Sequence, residues 1–174
     1  LRLLRHRLSG GQDCSKVLRL LGCLCCNNDR VTMDLVTCYH DSVLSVIQDI
    51  VCQQGRSEEE RREGVGVLAQ ISASKQQDMV WAVLRPEINT ILHAMTHLVQ
   101  TSVSPETMLL CSATSLNITC MTTSLPPAPL NGLLGSLLAH PACHTSVFIN
   151  ICPTCCNRFF TACHCPSYQH CKRG

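Results

Sequence analysis

The sequence contains no apolar run of the about 18 to 20 residues that crosses a bilayer, so membrane insertion is not expected. Excess charge is also lacking. Fourteen Lys and Arg against twelve Asp and Glu leave a net +2, too little to attract nucleic acid or a membrane surface by itself. There is no glycine-rich phosphate loop, because Gly64 and Gly66 stand inside a helical pattern. A catalytic arrangement is missing too. Cys38, Tyr39, His40 and Asp41 are neighbours in an expected turn, which suits a linker better than a nucleophile and its base. No enzyme is therefore expected. The opening LRLLRHRL has neither an initiating methionine nor a small-residue cleavage site. It reads as a piece of a longer or processed chain rather than as a secretory signal.

What is present is helical spacing. In SEEERREGVGVLAQISAS (57–74), Ser57 and Glu60 have the spacing of a capping box, and Glu58 and Glu59 suit a helix N-terminus. Val65, Leu68 and Ile71 follow on one face, and Val67 precedes Ile71 by one turn. Glu58–Glu63 reads as a solvated helix start. Further helices are expected over 15–28, 30–36, 42–51, 77–84, 87–100 and 105–119. Ser104 is the expected cap of the last of these and Pro105 its first turn.

These segments repeat. Leu24, Ile71 and Ile118 lie 47 apart, as do Leu21, Leu68 and Ser115. In the middle helices the shift is 48, pairing Leu44 with Leu92, Ile47 with Met95, Ile50 with Leu98 and Val51 with Val99. The short helices keep the shift of 48, pairing Val31 with Met79, Met33 with Trp81, Leu35 with Val83 and Val36 with Leu84. Short, medium and long helices recurring with a period in the forties are the pattern of armadillo-type units, which stack because none buries its apolar face alone. The expected fold is all-α: an armadillo-like helical solenoid fragment over 1–122, with units at about 30–74 and 77–122 preceded by the last helix of another.

LLGCL (20–24), VLAQI (67–71) and SLNIT (115–119) carry a resemblance to the armadillo family. That resemblance implies a protein-interaction adaptor whose third helices line a groove for an extended peptide. It also implies that an asparagine before an apolar residue near the end of such a helix bonds the peptide backbone. Asn117, before Ile118, fits this role; Gln70, before Ile71, is a variant of it; Cys23, before Leu24, departs from it. An amide suits the task because it both donates and accepts. Within the group, RREGVGVLAQISAS is most similar to the Inscuteable family of cytoplasmic and cell-cortex adaptors. These connect the apical polarity complex to spindle orientation in asymmetric cell division. The resemblance covers about 15–122 and implies polarity-complex proteins as partners. The family's segment for its TPR partner has no counterpart here. Asn117-Ile118-Thr119 is also a glycosylation sequon, unexpected to be used inside a helix.

Acids disappear after Glu106, while six of eight prolines and seven of fifteen cysteines follow Thr123. The three prolines of Leu125–Pro129 are expected to end the solenoid. An irregular Cys-rich tail over 123–174 is then expected, with at most a weak helix over 131–138. No cofactor is expected of an adaptor. The alternative is a zinc-binding tail with ligands among Cys152, Cys155, Cys163 and Cys165, joined by His164, His170 and Cys171, although their spacing is irregular. A disulfide-rich secreted protein is the other alternative. Against it, the cysteines of the helical region are loosely spaced, as small core residues are in a reducing compartment.

Overall fold

A computed structural model describes residues 14–121 and 127–141. Every regular element among these residues is helical: α1 (Ser15–Cys25), α2 (Asp29–Cys38), α3 (Ser45–Cys52), α4 (Glu58–Ser72), α5 (Gln77–Leu84), α6 (Ile88–Thr101), α7 (Pro105–Met121) and α8 (Pro127–Ala139). None of them is long and apolar enough to cross a membrane.

The helix ends follow from local chemistry. Ser57 and Glu60 form a complete capping box at the start of α4, each side chain meeting the other's backbone N–H. Asn28 caps α2 by accepting from the Val31 N–H. Asn27 takes a left-handed φ of 53° where the chain leaves α1, a conformation asparagine tolerates better than most residues. Ser104 Oγ accepts from the Thr107 N–H at 3.5 Å, and Pro105 occupies the first turn of α7. Arg85–Glu87 winds as a 3-10 turn between α5 and α6, so Pro86 changes the helix type there rather than opening a loop. A π turn over His40–Leu44 replaces the turn expected near Tyr39–Asp41. It runs directly into α3 and buries Val43 and Leu44.

Two layers result. α4 packs between α1 and α7, while α6 packs between α3 and α8; α3 also packs on α4. Many residues that share a register position are buried alike, although Leu24 is exposed where Ile71 and Ile118 are buried. Leu44 and Leu92, Ile47 and Met95, Ile50 and Leu98, and Val51 and Val99 are all buried. Leu21 and Leu68 are buried, and so is Ser115 at the next equivalent position. Its hydroxyl donates to the Cys111 carbonyl at 2.6 Å, so a polar residue occupies a core position without an unmet bond. Gly64 lets α3 and α4 approach closely: a Cβ there would lie 2.7 Å from Val51 Cγ2.

The packed core continues past residue 122. Leu130, Leu133, Leu134 and Leu137 of α8 are buried, and the helix lies along α6. Pro127 opens this helix and Pro129 stands in its first turn, where the N–H that proline lacks has no intrahelical acceptor anyway. The expected irregular stretch thus contains an ordered helix, longer than the weak one expected over 131–138. Pro127 and Pro129 thus stand in the first turn of a further helix.

Candidate functional site

The three register-equivalent positions Cys23, Gln70 and Asn117 lie toward the C-terminal ends of α1, α4 and α7. Cys23 is exposed; Gln70 and Asn117 are half-buried. Their surroundings differ. Asn117 Nδ2 donates to the Ala69 carbonyl at 3.1 Å and to Ser72 Oγ at 3.2 Å. Both donor hydrogens are thus directed at the last turn of α4. Gln70 instead lines a cavity of about 190 Å³ with Asn27, Asp29, Thr32, Ser74 and Lys75. Asp29 Oδ1 accepts there from Ser74 Oγ at 3.1 Å and from the Lys75 N–H at 3.4 Å, tying the start of α2 to the end of α4.

The expectation of a solvated start for α4 is corrected. Glu60, Arg61 and Glu63 are buried, and the segment ties α4 to α1, α3, α6 and α7. Toward α1, Glu60 Oε1 accepts from the Cys14 N–H at 3.3 Å and from its thiol at 3.2 Å. Glu63 pairs with Arg19 at 2.6 Å. Toward α6 and α7, Glu58 Oε1 accepts from Ser102 Oγ at 2.5 Å, and Arg62 lies 3.5 Å from a Glu106 carboxylate oxygen. Arg61 crosses the core, donating to the Val51 carbonyl at 3.2 Å and to the Ala94 carbonyl at 3.2 Å, with Nη1 3.5 Å from His97 Nδ1. Val51 is in the last turn of α3, so the cation also meets the negative end of that helix.

Burial shifts several of these groups. It pushes the Cys14 thiol up to about 12, helped by its bond to Glu60, and the Cys111 thiol also up to about 12. Cys25 and Cys52 rise for the same first reason. Burial alone would raise the Glu60 carboxyl. The hydrogen bonds from Cys14 and Ser57 outweigh it and hold Glu60 below its ordinary value. Desolvation lowers Arg61.

The eight cysteines among the described residues are free thiols. Among these residues no group of three or more His, Cys, Asp or Glu is placed to hold a metal ion. Cys152, Cys155, Cys163 and Cys165 lie outside the described residues, as do His164, His170 and Cys171. A second, more open cleft of about 550 Å³ separates the end of α6 from α8 and is lined by Val99, Val103, Gly132, Gly135 and His140. His140 is buried there, with Nε2 3.0 Å from the Ser102 carbonyl oxygen.

No protein-family model matches the chain, and no characterised protein or solved structure shows a significant similarity to it.

Proposed function

We propose that the chain is part of an armadillo-like solenoid acting as a non-catalytic protein-interaction adaptor. The observation that carries this reading is the coincidence of two periods. Residues 48 apart in α6 and in α3 with the turn before it are buried alike, and the helices read as third helices, α1, α4 and α7, stand side by side. Helices ordered in this way offer a continuous surface for an extended peptide. Gln70 is the residue proposed to read that peptide, since it borders a polar cavity at the end of α4. Asn117 is proposed to hold that helix end in place. The resemblance of RREGVGVLAQISAS to the Inscuteable family supports a finer proposal, a cytoplasmic or cortical link between polarity-complex proteins and spindle orientation.

The test is binding of a polarity-complex peptide library to wild type and Gln70→Ala, with thermal melts alongside. An affinity loss of about fivefold or more with an unchanged melt supports the reading. Equal binding by both proteins rejects the role of Gln70, and absence of any bound peptide rejects the polarity assignment.

A further inference from the structure

Two exposed thiols share the last turn of α1. Cys23 and Cys26 are three positions apart, and both face solvent. Cys26 caps the helix. Its φ is −61° and its N–H still donates to the Gly22 carbonyl at 3.0 Å, so its Cα keeps a helical position. Positions three apart on a helix are neighbours on one face, with Cα atoms about 5 Å apart. That falls within the window of about 4.4 to 6.8 Å for disulfide-bonded cysteines. The Cβ atoms, about 5 to 6 Å apart in a regular helix, have to close to about 4 Å. Cys26 is free to make that move. It leaves the helix with a ψ of 118°, into a turn whose Asn27 is left-handed. The neighbouring thiols compete poorly. Cys25 is 2% exposed, and adjacent helical positions do not face each other. Cys38 closes α2, roughly 13 Å along that helix from Asp29. Cys120 stands on α7, with α4 between it and α1.

We infer that Cys23 and Cys26 form a dithiol redox site, oxidised to an intramolecular disulfide by a low-molecular-weight disulfide such as that of glutathione. One thiolate attacks a sulfur of the oxidant and expels one glutathione, leaving a mixed disulfide. The second thiol gives up its proton, attacks that bond and expels the other glutathione. The pair loses two electrons and two protons, and the oxidant is reduced to two thiols. In a reducing compartment such a bond is transient, as redox-sensing disulfides are. The turn that closes it carries Asn27 and Asn28, which border the cavity beside Gln70. Asn27 Nδ2 donates to Cys26 Sγ at 3.8 Å, and Asn28 Oδ1 caps α2. Drawing Cys26 toward Cys23 therefore moves one wall of that cavity. The dithiol site itself does not depend on peptide reading by Gln70.

Disulfide mapping of the full chain tests this. The native chain is equilibrated in glutathione buffers of rising disulfide content, quenched in acid, alkylated in denaturant and mapped by mass spectrometry. The peptide spanning 20–30 is expected to lose two hydrogens and to carry one alkyl group, on Cys25. Exposed Cys38 is expected to take up glutathione instead, which reports that the oxidant reached surface thiols. Cys26→Ser converts the Cys23 product to a glutathione adduct, with the fold kept by circular dichroism because the side chain is already exposed. Oxidation shifts the side-chain amide resonances of Asn27 and Asn28, reduction restores them, and that of Asn117 stays in place. Gln70→Ala leaves the disulfide yield unchanged, so peptide reading can fail without this site failing. The inference is overturned if Cys23 and Cys26 end as two glutathione adducts, or if both remain thiols while Cys38 is modified. Pairing of either with Cys25 or with a cysteine beyond Thr123 overturns it too. A Cys23–Cys26 bond that leaves the Asn27 and Asn28 resonances unmoved would overturn its coupling to the cavity.

Discussion

Arg61 Nη2 donates to the Ala94 carbonyl across 3.2 Å, joining α4 to a helix thirty-three positions further along the chain. The same guanidinium bonds the Val51 carbonyl, so one buried side chain spans α3, α4 and α6. Arg61→Ala leaves two buried carbonyls without these donors and is expected to cost roughly 2 to 4 kcal/mol in urea unfolding. Arg61→Lys should recover only part of this, since an ammonium lacks the fork that reaches both carbonyls. Equal stability of wild type and Arg61→Ala would show that the guanidinium is dispensable at this junction.

Gly64 and Gly66 give a paired test within one helix. A methyl at 64 would meet Val51 Cγ2 at 2.7 Å, while one at 66 would meet Leu110 at an ordinary 3.7 Å. Valine has little rotamer freedom with which to yield. Gly64→Ala should therefore destabilise by roughly 1 to 3 kcal/mol through overpacking. Gly66→Ala should be neutral or stabilise by up to about 1 kcal/mol through helix propensity. Thermal melts of the two variants that move in the same direction would contradict this close approach of α3 and α4.

Acid and alkali should each weaken the fold, at opposite ends of the pH range. The Glu60 carboxyl is lowered in the folded chain, so its contribution is present above its unfolded pKa and disappears as pH falls through the lower folded value. The unfolded value is about 4.3, so a stability gap between wild type and Glu60→Gln should close on acidification below it. The thiols of Cys14 and Cys111 are raised from 9.0 to about 12. Their contribution is complete below about 9 and is lost as pH rises toward about 12. Urea midpoints measured across pH check both limbs. A gap for Glu60→Gln that widens in acid would reverse the sign argued here.

The same burial sorts thiol reactivity. Cys23, Cys26 and Cys38 are exposed, whereas Cys14, Cys25 and Cys111 are buried. Brief alkylation of the native chain followed by peptide mapping should label the first three and spare the second three, since the thiolate is the nucleophile. Denaturation should make all six equally reactive. Rapid native labelling of Cys111 would show that α7 does not pack as described.

The helices were legible because their signals are local. Ser57 and Glu60 are three residues apart, and Val65, Leu68 and Ile71 recur within two turns. The role of the charged start was not legible in this way. The partners of Glu60 and Glu58 lie 46 and 44 positions away, at Cys14 and Ser102, and a charged run looks the same whether its partners are water or protein. α8 was partly hidden for a different reason. Pro127 and Pro129 mark a break by composition, although their positions in a first turn permit a helix. Asn117 stands between these cases. Its place near the end of a helix was readable, but the direction of its donors depends on how α7 packs beside α4.

That direction gives the last prediction. Asn117 Nδ2 serves two acceptors, the Ala69 carbonyl and Ser72 Oγ, at the C-terminal turn of α4. The Ala69 carbonyl also accepts from the Ala73 N–H at 3.1 Å and from Ser72 Oγ at 3.1 Å, so Asn117→Ala removes one of its three donors and does not orphan it. The expected loss is therefore modest, about 1 kcal/mol. Asn117→Asp is the sharper variant. It has the same shape, but at neutral pH it places an acceptor-only carboxylate against a carbonyl oxygen and the negative end of a helix. It should cost more than alanine, roughly 2 kcal/mol, and should recover in acid as the carboxyl gains a proton to donate. Urea unfolding of the three proteins at pH 7 and near pH 4 measures this. Asn117→Asp as stable as wild type at pH 7 would mean that the amide points away from α4, leaving both its donor hydrogens free for a bound peptide.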